Sequence, residues 1–402
     1  MTPLLKLTQY LKFYDKKLRK KNITINKITI EDSASNIEAV EWNRLKIKNP
    51  FMSYEFISSL EESGCVSKET GWNTQHIIMK NNENKILGIV PSYIKSHSYG
   101  EYVFDQSWAE FYDKLGLNYY PKLQSCIPFT PVTSNKLLLS EDANNADINQ
   151  LVLSIKSIVN NERLSSAHIT FCTKNEIDIL QTNNFLQRTS QQFRWENNNY
   201  QTFDNFLENL TSRKRKMIRK ERKHVENNDI KIEIISGKNI TEEYLDIFYN
   251  FYKDTCNRKW GHAYLSREFF NLIAEKMSSK MMLVLARYGL NYIASSLHII
   301  GEDRLYGRYW GGEKHDSFLH FELCFYQAIE YAIRNKLQYI EAGAGGYHKI
   351  SRGYVPILTY SAHYMNIPEI HSVIKDYLIK ERELNNSNLE ELENSLPYKK
   401  IL

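Results

Sequence analysis

The chain has 402 residues, 42% of them hydrophobic and 25% charged, with only 16 glycines and 9 prolines. That length suits two domains of roughly 150–200 residues and excludes fibrous and low-complexity classes. The net charge is only +5, but it is uneven: residues 1–30 and 211–224 each carry a net +7, which leaves −9 on everything else.

A mildly acidic body with two basic patches implies anionic partners at those patches. The longest apolar runs, such as 281–286, fall far short of the roughly 20 residues of a membrane span. No secretory leader pattern opens the chain. The five cysteines, Cys65, Cys126, Cys172, Cys256 and Cys324, are scattered with no C-x-x-C pair, so neither a disulfide framework nor a cysteine-based metal site is expected. A cytoplasmic setting follows.

In chain order, residues 1–22 form a basic segment with Leu4, Leu7, Leu11, Tyr14 and Leu18 at helical spacing. This segment is a candidate for peripheral contact with an anionic membrane. Ile23–Ile30 alternates like a strand, and helices are expected over 35–47 and 53–62. A hairpin follows, 76–80 with 86–94, and Glu101–Phe104 reads as its third strand. A helix over 147–161 leads to a strand at 167–172, then a short helix and a strand at 191–195. The second half repeats that order. It has a basic helix within 203–227, a strand at 230–235, helices at 242–252 and 267–277, and strands at 281–287, 292–300 and 304–310. A helix at 318–335 and strands at 337–342 and 359–365 complete it. Both halves read β-α-α-β-β-β-α-β-α-β, a mixed α/β architecture with helices on both faces of a central sheet. The expected domains are 23–200 and 201–370, with a helical tail over 371–402.

This order resembles two tandem copies of the acyl-CoA N-acyltransferase (GNAT) fold. Specific strings sharpen the resemblance: Arg308-Tyr-Trp-Gly311, Phe318-Leu-His-Phe-Glu322, Glu341-Ala-Gly343, His348-Lys349 and Ser361-Ala-His363, with Asn49-Pro-Phe51 and Pro128-Phe-Thr-Pro-Val132 in the first half. Together they are similar to the FemAB-like predicted N-acyltransferases of bacteria. Arg194 stands where that family shows His. Neither half has the Arg/Gln-x-x-Gly-x-Gly/Ala phosphate loop of simple acetyltransferases. The resemblance implies N-acyl or aminoacyl transfer to a small-molecule or peptide amine. Acyl-CoA or aminoacyl-tRNA would serve as co-substrate, with no tightly bound cofactor and no metal.

Such a reaction needs a base for the amine, hydrogen-bond donors for the oxyanion and a cationic cradle for the donor phosphates. Ser317 is placed as the N-cap of a helix that carries His320 and Glu322 in its first turn. Glu341 ends a strand in a glycine run, with His348, Lys349 and Arg352 just beyond. The catalytic candidates are therefore Glu341, His348, Glu322 and His320. Lys349, Arg352, Ser317 and the helix residues Arg213, Arg215, Lys216, Arg219 and Lys220 are the anion-binding candidates. His97, Tyr99, Asp105, Trp108 and Trp310 are the acceptor-binding candidates. The competing class is a non-catalytic protein that uses the basic helix on RNA or membrane lipid. DNA reading is not expected, because a strand rather than a zipper follows the basic helix.

Overall fold

The computed structural model describes residues 26–313 and 318–399. The basic segment 1–22 and Ser317 lie outside them. The chain falls into two compact units that are not consecutive in sequence. The first takes the described residues up to Ile47, Phe51–Thr189 and Thr359–Leu384. The second takes Lys48–Pro50, Ser190–Leu358 and the described residues from Asn385. The helical tail expected over 371–402 is thus shared between the units, and so is the last strand of each half.

The first half of the sequence forms strands β1 (Lys27–Glu31), β2 (Trp72–Thr74), β3 (His76–Lys80), β4 (Ile86–Val90), β5 (Tyr93–Lys95), β6 (Lys122–Ser125), β7 (Leu138–Leu139), β8 (Ser166–Cys172) and β9 (Leu186–Glu196). Its helices are α1 (Ala39–Asn43), α2 (Tyr54–Glu62), α3 (Gln106–Lys114), α4 (Asn145–Asn161) and α5 (Lys174–Thr182). Helix starts follow the side-chain chemistry. Ser53 and Thr173 accept from the third amide of their helices, and Asn144 and Asp147 form a reciprocal capping box.

Three expectations fail here. The helix expected over 35–47 is a 3-10 turn at Ala34–Asn36 followed by the short α1. The run 86–94 is two strands, because Pro91, which has no N–H to give the ladder, separates β4 from β5. β4 then pairs with β3 and β7, whereas β5 pairs with β2 and β6. Glu101–Phe104 is a loop, since Gly100 (φ 82°) and Tyr102 (φ 60°) turn the backbone left-handed.

The second half supplies α6 (Phe203–Asn209), α7 (Ser212–Asn227), β10 (Ile230–Ser236), α8 (Glu242–Trp260), α9 (Arg267–Met277), β11 (Met281–Tyr288), β12 (Asn291–Ile300) and β13 (Arg304–Gly312). Next come α10 (Leu319–Phe321), a π-helical turn at Glu322–Tyr326, α11 (Gln327–Arg334), β14 (Tyr339–Glu341), β15 (Val355–Met365) and α12 (Pro368–Asn394). In the second unit β10, β11, β12 and β13 run antiparallel, β13 pairs in parallel with β14, and β14 pairs antiparallel with β9 through residues 194–196. The first unit has the matching motif: β5 antiparallel to β6, β6 parallel to β8, and β8 antiparallel to residues 360–365 of β15. Each unit is therefore closed by a strand from the other half of the sequence.

One face of the second unit's sheet, with Met282, Val284, Leu305 and Ile340, packs on Leu323, Tyr326, Ala328, Ile329, Ile218 and Val225. The other face meets α8 and α9, where Tyr309 lies edge-on to Tyr252 and Phe270 at 5.1 and 5.9 Å. The contact with α8 is so close that a Cβ at Gly311 would stand 2.1 Å from the Phe251 carbonyl oxygen. Backbone cannot yield as a side-chain tip can, so Gly311→Ala is expected to cost at least ~1–3 kcal/mol. Urea unfolding of the single variant measures this, and an unchanged midpoint would refute the close approach.

Candidate active site

β13 and β14 stay paired only over Arg304–Tyr306 and Tyr339–Glu341. Beyond that β13 runs on to Gly312 while β14 ends, and the strands part. At the parting point β13 is bulged: His298 pairs with Gly307 and Leu297 with Tyr309, so Arg308 is an extra residue. Bulges of this kind re-aim side chains at functional sites. The gap is a cavity of about 280 Å³, lined by Ser296 and His298 of β12, Gly307–Trp310 of β13, His320, Cys324 and Phe325 of the helix, and the loop from Ala342 to Lys349.

The helix over the cavity is not one continuous α-helix. Its π turn at 322–326 adds a residue, so Gln327 comes beneath Glu322, to whose Oε1 it donates at 2.7 Å. Gln327 therefore leaves the His320–Cys324 stripe on which regular helical spacing would put it. His320 sits among Trp310 (5.1 Å), Phe325 (5.3 Å), Phe321 (5.5 Å) and His348 (5.9 Å), measured between ring centroids. Burial, and then the nearby His348 and lysines, push its pKa down to about 3, so the ring is neutral. His348 is exposed on the rim and is lowered by burial and by Arg352 and Lys349. Burial pushes the Cys324 thiol up to about 12, which removes it as a nucleophile at neutral pH.

Glu341 and Lys349 also line the cavity, but with their charges already partnered, whereas Glu322 and Arg352 are not among its lining residues. Glu341 is ion-paired with Arg304 at 2.8 Å, and burial raises its carboxyl against the pull of Arg304 and Arg194. Glu322 is buried away from the cavity, held by Arg222 at 3.1 and 3.3 Å. Lys349 turns inward and donates to the carbonyls of Ala342 (2.7 Å), Ala344 (3.1 Å) and Gly343 (3.2 Å), so it shapes the glycine loop from within. Burial lowers it to about 8. Gly346 holds φ 84°, a left-handed conformation that favours glycine. Arg352 is buried, donating to Glu221 at 2.7 and 3.2 Å, to Tyr326 Oη at 2.9 Å and to the His348 carbonyl at 2.8 Å. The donors of Lys349 and Arg352 are thus committed inside the fold rather than directed at the cavity.

The Glu221–Arg352 pair also anchors α7. Arg222 reaches Glu330 at 2.6 Å, and Lys214 reaches Ser351 at 2.7 Å. Arg215 is half-buried, and Arg219 pairs at the surface with Asp204. Arg213, Lys216, Lys220 and Lys223 face solvent.

In the first unit the His97 and Tyr99 rings lie tilted to one another, 5.0 Å apart, near the surface. Asp105 and Trp108 are buried. Asp105 accepts from Tyr119 Oη at 2.6 Å and from Lys122 Nζ. Trp108 packs on His363 at 4.9 Å under the Arg188 guanidinium. Trp310 belongs to the second unit's cavity. His298 and Ser296 were not among the expected residues. Their signal was two polar side chains, two apart, on the inward face of an otherwise apolar strand.

The FemAB-like family, described as peptidoglycan biosynthesis/recognition, matches residues 33–400. No curated protein sequence matches the chain. The crystal structure of FemX is similar at TM-score 0.52 and 12% identity, over 87% of this chain and 100% of that one. A conserved protein of unknown function from Bacteroides thetaiotaomicron VPI-5482 is similar at TM-score 0.52 and 11% identity, over 84% and 100%. At these identities the structural likeness is one of fold.

Two outcomes follow from the buried charges. Arg352→Met leaves Glu221 buried without its cation, at a cost of about 3–5 kcal/mol, whereas Arg352→Met with Glu221→Gln regains most of it. Urea unfolding of both variants measures the difference. His298 and His320 have folded pKa values of about 4 and about 3, below the ordinary 6.5. The unfolded chain therefore binds protons that the folded chain refuses. The stability they contribute is present above pH 6.5 and is lost as pH falls toward 4, at about 1.4 kcal/mol per pH unit per histidine. His320→Phe should flatten the acid limb of the stability–pH curve by one proton, and an unchanged limb would count against a buried neutral His320.

Proposed function

The chain belongs to the FemAB-like family and is an acyltransferase, and from that premise we propose that it transfers an aminoacyl group from an activated ester to an amine on a peptidoglycan precursor. The observation that carries this reading is the cavity at the parting of β13 and β14. It is large enough for a small acyl group and an amine, but not for a whole macromolecular donor. Trp310, His320 and Phe325 give it aromatic walls for the acyl side chain, and His348 stands at its mouth. Burial keeps the Cys324 thiol protonated, which favours direct transfer from donor to acceptor over a covalent acyl-cysteine.

Aminoacyl-tRNA is the donor this reading favours. Arg213 to Lys223 spans about 15 Å of helix at 1.5 Å per residue, with Arg213, Lys216, Lys220 and Lys223 turned to solvent. That row is longer than a diphosphate needs and suits a run of successive phosphates. The alternative donor, a CoA thioester, would find no glycine phosphate loop of the simple acetyltransferase kind in this sequence.

The test is thermal stabilisation of the full chain by each donor, since a ligand that binds the native state raises the melting temperature. Aminoacyl-tRNA is expected to stabilise and acyl-CoA is not; the reverse would overturn the choice of donor. The triple variant Arg213→Glu, Lys216→Glu, Lys220→Glu should melt like the wild type and bind tRNA at least tenfold more weakly in low salt. That gap should shrink as salt rises. Equal affinity at low salt would make the row a solvated face.

A further inference from the structure

His298 is buried on β12, with 1% of its surface exposed. Its Nε2 faces Ser296 Oγ at 3.1 Å, and that hydroxyl donates to the Leu323 carbonyl at 3.5 Å. With the hydroxyl turned to that carbonyl it accepts from the imidazole, so the tautomer assigned on this geometry has the proton on Nε2 and the lone pair on Nδ1. His298 Nδ1 has no hydrogen-bond partner although it is buried. It lies on the cavity wall opposite Gly307, where an added Cβ would come 3.8 Å from it. A buried acceptor left unsatisfied is costly, and here it borders a cavity that has room for a ligand N–H. The absent side chain at Gly307 is what keeps the way to Nδ1 open.

We propose that His298 is the group that takes the proton from the acceptor amine, an inference that rests on the cavity being the site of transfer. The amine enters uncharged, having left its ammonium proton to solvent. Its nitrogen bonds to the acyl carbon, and the ester C–O bond breaks. The proton lost by nitrogen passes to His298 Nδ1 and from there to the departing oxygen. Burial holds the imidazole well below its ordinary pKa, at about 4, so it would be a poor base toward a free ammonium ion. Nitrogen in the tetrahedral adduct is far more acidic, and a weak base that regains neutrality by protonating the leaving oxygen suits that step. The other titratable groups on the cavity wall are Arg308, Tyr309, His320, Cys324, Glu341, His348 and Lys349. Cys324 stays protonated, Glu341 is paired to Arg304 and Lys349 is bound to carbonyls. The two histidines lie on the helix and the loop.

The experiment compares wild type, His298→Gln and Gly307→Ala as full chains in aminoacyl transfer, with melting curves to establish folding. His298→Gln keeps a polar side chain but no base, and is expected to lose about 100-fold in kcat with the donor KM within threefold. Gly307→Ala meets only ordinary contacts, 3.6 Å to the Glu341 carbonyl being the nearest, so it should fold. Its methyl should nonetheless shut amines out and lower kcat at least tenfold. A second readout needs no turnover: ¹⁵N spectra of histidine-labelled protein should show His298 neutral and protonated on Nε2 near pH 7. Its Nδ1 resonance should shift with millimolar glycinamide, but not with N-acetylglycinamide or in Gly307→Ala. If wild type transfers and His298→Gln keeps kcat within threefold, the proposal is overturned while the transfer reading stands. If wild type transfers to no amine yet Nδ1 answers glycinamide, the transfer reading falls and the amine site remains. A His298 Nδ1 that carries the proton, or that ignores glycinamide, overturns the proposal directly.

Discussion

The second unit is organised by one constraint: two parallel strands that pair over three residues and then separate. A sheet must satisfy its backbone groups, and a strand edge that loses its neighbour inside the fold leaves donors and acceptors to be met some other way. The opening is kept from collapsing by what stands on either side of it. β13 is held on β12 through its bulge, and the loop after β14 is curled around Lys349, whose ammonium gathers three successive carbonyls. Lys349 costs the fold a buried cation, and burial accordingly lowers its pKa. Its three hydrogen bonds hold the loop in its curl.

A second layer of buried charge supports the first. Glu221 and Arg222 of α7 point inward, to Arg352 and to Glu322 with Glu330, so one helix is tied both to the loop and to the π turn. A buried pair of this kind contributes little net stability, but it penalises any arrangement that separates its members. It therefore acts as a register device. If α7 slid along its seat, Glu221 would lose Arg352, and the loop that carries His348 would lose its anchor with it. The carboxylates that the sequence pattern suggests for catalysis are in large part the counter-charges of this scaffold.

Much of this was legible in the sequence, and the exceptions have physical causes. Alternating and apolar runs marked the hairpins of both halves, because the side chains of 281–300 report directly which face is buried. The same alternation in 355–365 cannot say which strand it will pair with, so the sharing of β9 and β15 between halves left no trace in the pattern. The loop at 101–104 looked like a strand because Tyr102, Val103 and Phe104 favour one, whereas the positive φ of Gly100 and Tyr102 belongs to the tertiary context of the buried Glu101–Lys122 pair. On α7 half of the sixteen positions are Lys or Arg, and they lie on every face, so charge alone could not tell inward from outward. Ile218 and Val225, one heptad apart and buried, do mark the face that also takes Glu221 and Lys214.

The π turn shows how the two layers meet. In a regular helix, residues 320, 324 and 327 would share a stripe and Glu322 would stand on its own. The inserted residue instead sends Gln327 back to Glu322 and leaves His320 and Cys324 as the helix's polar contribution to the cavity. The carboxylate therefore faces α7, and the imidazole and thiol face the opening, though the two kinds of residue alternate within one turn of sequence. The cavity wall then combines uncharged groups, a histidine, a protonated thiol and aromatic rings, with Arg308, with Glu341 paired to Arg304 and with Lys349 bound to loop carbonyls. Where the wall is built of the uncharged groups it favours the uncharged amine over the ammonium ion, because burying the cation without a partner is the costlier of the two. The same burial that makes His320 and His298 weak bases thus selects the form of the acceptor that can attack.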